Sequence, residues 1–221
     1  MSPGLILALD TSFGPVSAAL LAGDGRLLGH RRVAGAAGQQ AEVLPPMVGE
    51  LFSACDATFS ALERVVITTG PGAFTGVRVG IAFAKGLRVA TGAMLVGVSS
   101  LECLAVQAQA AHPGVRTGVV IDARRDEVYV LVRDPDGRHV VPAGLMPVGD
   151  AERALLQACD QPMLLFGTGR NLLNLPDVVC PAHDISEIDA VQLGHFGRRV
   201  DPELHPVTPA YLRAPDARLP S

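Results

Sequence analysis

Asp10 and Asp122 each stand where an apolar run stops, and each is followed by a short loop and a second apolar run. The loops are Asp10-Thr11-Ser12-Phe13-Gly14 and Asp122-Ala123-Arg124-Arg125-Asp126. A strand-end carboxylate beside a tight loop can serve a magnesium ion or its waters, while loop amides and hydroxyls meet phosphate oxygens. Thr11 and Ser12 offer hydroxyls, but Arg124 and Arg125 put two long side chains where bare backbone would be needed. The alternative without chemistry is that both carboxylates brace turns at strand ends. A third feature, Gly70-Pro71-Gly72-Ala73-Phe74-Thr75-Gly76, follows the β-branched run Val65 to Thr69 and opens a helical pattern. Backbone amides and the positive helix end meet anions in such a place. No Lys-Ser or Lys-Thr follows the glycines, so this is not a Walker loop. Gly70, Gly72, Thr75 and Gly76 serve a tight strand-to-helix connection equally well.

Other chemistries find less support. The six histidines are never three to five residues apart, so no helical metal pair exists, and no Gly-x-Ser-x-Gly elbow supports a hydrolase. Cys55, Cys103, Cys159 and Cys180 lack metal-clip or dithiol spacing and read as free thiols of a reducing compartment. The 221 residues are 48% hydrophobic and 18% charged with a net charge of -4, which excludes a disordered tail and a basic nucleic-acid coat. The apolar run Leu5 to Leu9 is too short for a signal segment, and the weakly charged stretch between Arg88 and Arg116 is too polar for a membrane span. A soluble cytoplasmic protein without membrane contact is expected.

The elements that must position these groups follow from periodicity. Leu5 to Leu9, Val16 to Leu21 and Arg26 to Val33 read as three strands, the last two joined by a Gly23-Asp24-Gly25 hairpin. Helix over roughly Gln40 to Phe52, strand over Val65 to Thr69, a long helix after Gly76, strand over Met94 to Val98 and helix from Ser100, capped by Ser99 or Ser100, complete a βββαβαβα order. That order implies a mixed sheet flanked by helices. A shift of 112 positions aligns Asp10 with Asp122, Val16 with Val128, and Asp24-Gly25-Arg26 with Asp136-Gly137-Arg138. Such a repeat predicts two related lobes, residues 1–110 and a smaller, less regular 111–221. In the second lobe, Ala151 to Cys159 and Glu187 to Val200 read as helices, Met163 to Phe166 as a strand, Gly167-Thr168-Gly169 as a close-approach turn and Pro206 to Ser221 as an extended tail.

On the long helix, Val79, Phe83, Leu87 and Ala90 form one apolar face and Val77, Ile81 and Ala84 another, while Gly76 and Gly80 leave room for a second backbone. The preceding helix carries a stripe of Leu44, Met47, Val48, Leu51 and Phe52, with Pro45-Pro46 marking a start or a kink. One face can cover the sheet. The remainder either packs helix on helix within the lobe or forms a partner interface, expected over Leu44, Met47, Val48, Leu51, Val79, Phe83 and Leu87.

Six segments in order, Ile6 to Ser12, Gly70 to Gly80, Gly97 to Leu101, Ile121 to Tyr129, Gly167 to Gly169 and Pro209 to Arg213, resemble the TsaB family of bacterial threonylcarbamoyladenosine biosynthesis subunits, formerly called YeaZ. The resemblance implies an actin-like (ASKHA, ribonuclease-H-like) duplicated α/β fold of two lobes, with no catalytic residue, metal or cofactor. It implies a scaffold whose N-terminal lobe pairs with the TsaD transferase, with the TsaE ATPase joining them. It further implies that a separate enzyme makes the threonylcarbamoyl-adenylate, that tRNA binds through the complex, and that the subunit alone can homodimerise. Arg124 and Arg125 are candidate minor contacts to tRNA or a partner. The competing reading is a divergent actin-like ATPase or kinase using Asp10 and Asp122. Two departures stand out: no histidine lies between His30 and His112, where relatives often carry one near 35–43, and Ala73 stands where serine is usual.

Overall fold

The computed structural model describes residues 4–36, 38–176, 182–183, 185 and 187–210. The first half of the chain forms β1 (Leu5–Asp10), β2 (Val16–Ala22), β3 (Leu27–Val33), α1 (Gln40–Ala54), β4 (Leu62–Thr68), α2 (Phe74–Thr91), β5 (Met94–Val98) and α3 (Ser100–Ala111). The second forms β6 (Arg116–Asp122), β7 (Glu127–Arg133), β8 (His139–Pro147), α4 (Val148–Gln157), β9 (Met163–Phe166), β10 (Ala182–His183) and α5 (Ala190–Gly197). The strands make two five-stranded sheets, ordered β3-β2-β1-β4-β5 and β8-β7-β6-β9-β10. In each, an antiparallel meander of three strands continues into strands parallel to the first. This is the duplicated ribonuclease-H-like, or actin-like, arrangement.

The 112-residue repeat extends to individual hydrogen bonds. Ser12 N donates to Asp10 Oδ1 at 3.0 Å and Arg124 N to Asp122 Oδ1 at 2.7 Å. At the hairpin tips, Arg26 N and Arg138 N each donate to the aspartate two residues back at 2.9 Å. Gly25 and Gly137 hold φ of 97° and 95°, a left-handed turn that glycine adopts without strain.

Both faces of the first sheet are apolar, so it is covered twice. Leu7, Leu9, Val65 and Ile67 point one way, onto Leu44, Val48, Leu51 and Phe52 of α1 and Val77, Ile81 and Ala84 of α2. Ile6, Ala8 and Val66 point the other way, into a core with Leu101 and Leu104 of α3, Leu193 of α5, and Val119, Ile121 and Leu131 of the second sheet. The two lobes thus share a buried layer. A third core places Val128, Val130 and Val132 against Ala151 and Leu155 of α4.

The last helix returns to the first sheet. Gly194 and Gly197 allow α5 to lie close, since a Cβ on either would come within 2.5 and 2.3 Å of Leu21 and Val66. Arg64 Nη1 donates to the carbonyls of Gly197, Arg198 and Val200 at 2.6, 3.1 and 3.1 Å, satisfying acceptors that a helix end leaves open. Beyond it, Gly97 N donates to His205 O and Ala210 N to Thr69 O, both at 2.8 Å, so residues 205–210 blunt the edge at β5. The rest of the expected extended tail, and Cys180, lie outside the described residues.

Candidate functional site

Asp10 ends β1 with no exposed surface. Its Oδ1 accepts from Thr68 Oγ1 at 2.6 Å, Ser12 Oγ at 2.7 Å and Ser12 N at 3.0 Å, while Oδ2 has no hydrogen-bond partner. Burial pushes this carboxyl above the ordinary range, opposed by the donors from Thr68 and Ser12. The glycine loop packs on the residues that follow Asp10. A Cβ on Gly72 would stand 2.1 Å from Ser12 O and one on Gly76 2.0 Å from Thr11 O, so only glycine lets this loop and the start of α2 lie on the Asp10 loop. Ala73 N donates to Ser12 O at 2.8 Å and Thr11 Oγ1 to Gly76 O at 2.7 Å, which turns both hydroxyl-bearing residues toward their own chain. Gly76→Ala is expected to destabilise the protein by about 1–3 kcal/mol, because backbone must move to admit the methyl. Chemical denaturation of the purified variant checks this.

The second loop is built differently. Asp122 is partly exposed, and its carboxylate accepts from Arg124 N and lies 3.2 Å from Arg124 Nη1. Arg124, Arg125 and Asp126 hold φ of 65°, 57° and 57°, three successive left-handed residues with side chains. Both arginines are exposed. The Gly167-Thr168-Gly169 turn meets the end of β6: a Cβ on Gly167 would be 2.3 Å from Val120 O, and Gly169 N donates to that carbonyl at 3.0 Å. Among the described residues no group of three His, Cys, Asp or Glu could hold a metal.

On α2, Gly76, Val77, Gly80, Ile81 and Ala84 are buried. Val79, Phe83 and Leu87 are half-buried along its flank, and Ala82, Gly86, Val89 and Ala90 are exposed. Val89 is 89% exposed and Phe74, at the start of the helix, 60%. The Arg78 guanidinium stacks on the Phe74 ring, 3.6 Å from its centroid.

Residues 34–141 match the family of TsaD, tRNA N6-adenosine threonylcarbamoyltransferase. The chain is 30% identical over 185 residues to the tRNA threonylcarbamoyladenosine biosynthesis protein TsaB of Bacillus subtilis (strain 168), an alignment that covers 78% of this chain and 79% of that protein. The chain belongs to the TsaB family. The TsaB of Escherichia coli (strain K12) is 33% identical over 124 residues, covering 56% of this chain and 52% of that protein. The solved structure of YeaZ from Pseudomonas aeruginosa superimposes with a TM-score of 0.72 at 30% identity, over 95% of this chain and 100% of that one.

For this TsaB-family chain, the interface expected from the sequence needs a correction on α1. Leu44, Met47, Val48 and Leu51 are 0–4% exposed and belong to the core beneath the first sheet, so they present nothing to a partner. Helix α1 runs through Pro45 and Pro46, which are exposed, and its apolar stripe is consumed by β2, β3 and α2. Val79, Phe83 and Leu87 retain accessible surface. The structure brings Asp10, Thr11, Ser12, Gly72 and Gly76 into one cluster, buried except at Gly72, with Asp122, Arg124 and Arg125 on the second lobe's own loop. The buried thiol of Cys103 is a neighbour that spacing did not reveal; burial pushes it well up, and Asp10 and Glu102 add to the shift.

Proposed function

We propose that this chain is a non-catalytic scaffold subunit that pairs with a TsaD transferase and holds it in an active arrangement. The TsaB family serves tRNA threonylcarbamoyladenosine biosynthesis. One observation carries the scaffold reading: the carboxylate that a nucleotide-binding relative would aim at magnesium is fully buried here, and the chain's own glycine loop packs directly on the loop that follows it. A phosphate would have to displace that loop, break its hydrogen bonds to Thr11 and Ser12, and leave buried groups unpaired.

The outer side of α2 is the docking face in this reading. Ala82, Gly86 and Ala90 are small and exposed, so a partner helix can come close, and Phe83, Leu87 and Val89 flank them with apolar area. The same surface serves a homodimer when the transferase is absent, and a TsaE ATPase joins the assembled pair. Arg124 and Arg125 are exposed and serve as minor contacts to tRNA or a partner within the complex. No helix among the described residues is long and apolar enough to cross a membrane.

Titrating the purified chain with magnesium and ATP in a calorimeter tests the absence of chemistry. The expected result is no saturable heat and no phosphate release. Micromolar binding with turnover by this chain alone would replace the scaffold with the ATPase reading.

A further inference from the structure

Asp10 has no catalytic task in the function above, yet its hydrogen bonds reach well beyond its own loop. Because Ser12 Oγ gives its proton to Asp10 Oδ1, the 2.9 Å contact between Ser12 Oγ and Ser100 Oγ must be made with the proton of Ser100. Ser100 begins α3, and its amide donates to Gly70 O at 2.7 Å. Ser12 O accepts from Ala73 N, and Thr11 Oγ1 donates to Gly76 O, which ties down both sides of the first turn of α2. A relay running from the ends of β1 and β4 through Ser12 to Ser100 therefore joins the start of α2 to the start of α3. Helix α3 packs in turn on β6 and β7 of the second sheet. All of Asp10, Thr11, Ser12, Thr68 and Ser100 are buried.

We infer that Asp10 is a positioning residue: through Ser12 and Ser100 it fixes the first turn of α2, with Phe74 and Arg78, against α3 and the second lobe, so that the protein partner meets a preformed surface. This rests on the pairing proposed above. A buried, mutually polarised network is rigid when its donors and acceptors are matched. A docking face held in its bound shape loses less conformational freedom on association. The fitting partner is apolar opposite Phe74, which is 60% exposed.

Hydrogen exchange of the isolated chain and affinity for the purified transferase, measured on the same variants, test the inference. In Ser12→Ala, amides of residues 72–78 are expected to exchange about tenfold faster while those of β6 and β7 stay protected, and transferase affinity is expected to fall about tenfold. Ser100→Ala, which removes only the outer hydroxyl, should move both readouts the same way. Asp10→Asn keeps an oxygen for the three donors but strands its amide nitrogen where Oδ2 has no partner, and should retain more of both than Asp10→Ala, which loses both. A folded Ser12→Ala with wild-type exchange at 72–78, or with faster exchange and unchanged affinity, overturns the positioning role. Wild-type chain that does not bind the transferase removes the pairing reading, and this inference with it, before any variant is compared.

Discussion

Replacing Phe83 or Leu87 with aspartate is expected to abolish co-purification with the TsaD transferase. Both side chains are half-buried against the first core and keep a face toward solvent on the outer flank of α2. A carboxylate seated in an apolar contact without a partner costs about 3 kcal/mol or more, which corresponds to roughly a hundredfold loss of affinity. Each residue also touches the core, so a folding defect could produce the same loss. Val89→Asp separates the two effects, because Val89 is 89% exposed and belongs to none of the cores formed by the described residues. Circular dichroism should show Val89→Asp folded with wild-type stability while its affinity drops. Wild-type affinity in a folded Val89→Asp and a folded Leu87→Asp would place the docking face elsewhere.

The largest expected loss of stability lies in the second lobe. Arg116 is 5% exposed at the start of β6; its Nε donates to Asp134 Oδ1 at 2.6 Å and its Nη1 to Ala158 O at 2.5 Å, with Asp160 as a further partner. Asp134, also 5% exposed, accepts in addition from Arg138 and, at 3.0 Å, from Gln161 Nε2. The Arg116 guanidinium holds the Asp134 carboxyl below the usual carboxylate range. Asp134→Asn leaves a buried guanidinium without its buried counter-charge, at a cost of about 3 kcal/mol, or a fall in Tm of roughly 10 °C for a chain of this size. The pH dependence has a definite sign. A depressed carboxyl contributes fully above its unfolded value of about 4 and loses that contribution as pH falls below it. The gap in unfolding free energy between wild type and Asp134→Asn should therefore be full at pH 6 and close in acid below about pH 4. A gap that widens in acid would mean the ion pair is not what stabilises this corner.

Periodicity alone located most elements. β5 and β9 occupy the expected Met94–Val98 and Met163–Phe166, and Ser99 caps α3 by accepting from Glu102 N. The two-lobe repeat was legible because turn chemistry is local: an aspartate two residues before a donating amide forms the same turn wherever it occurs. Burial is not local. The stripe on α1 reads as apolar from its spacing, but nothing in that spacing says that α2, β2 and β3 use all of it, so four expected contact residues proved to be core. The glycines at 76 and 80 announced a close approach, and the sequence could not say that the neighbour would be the Asp10 loop. Arg116 gave no signal at all, since its partners lie 18 and 44 residues away and no spacing rule joins them.

The most direct measurement is tRNA modification by the purified TsaD transferase supplied with threonylcarbamoyl-adenylate, with and without this chain. Modified tRNA is expected only when the chain is present, with wild type and Asp122→Ala supporting the reaction and Leu87→Asp failing to. A transferase that modifies tRNA equally well without the chain would contradict the scaffold role.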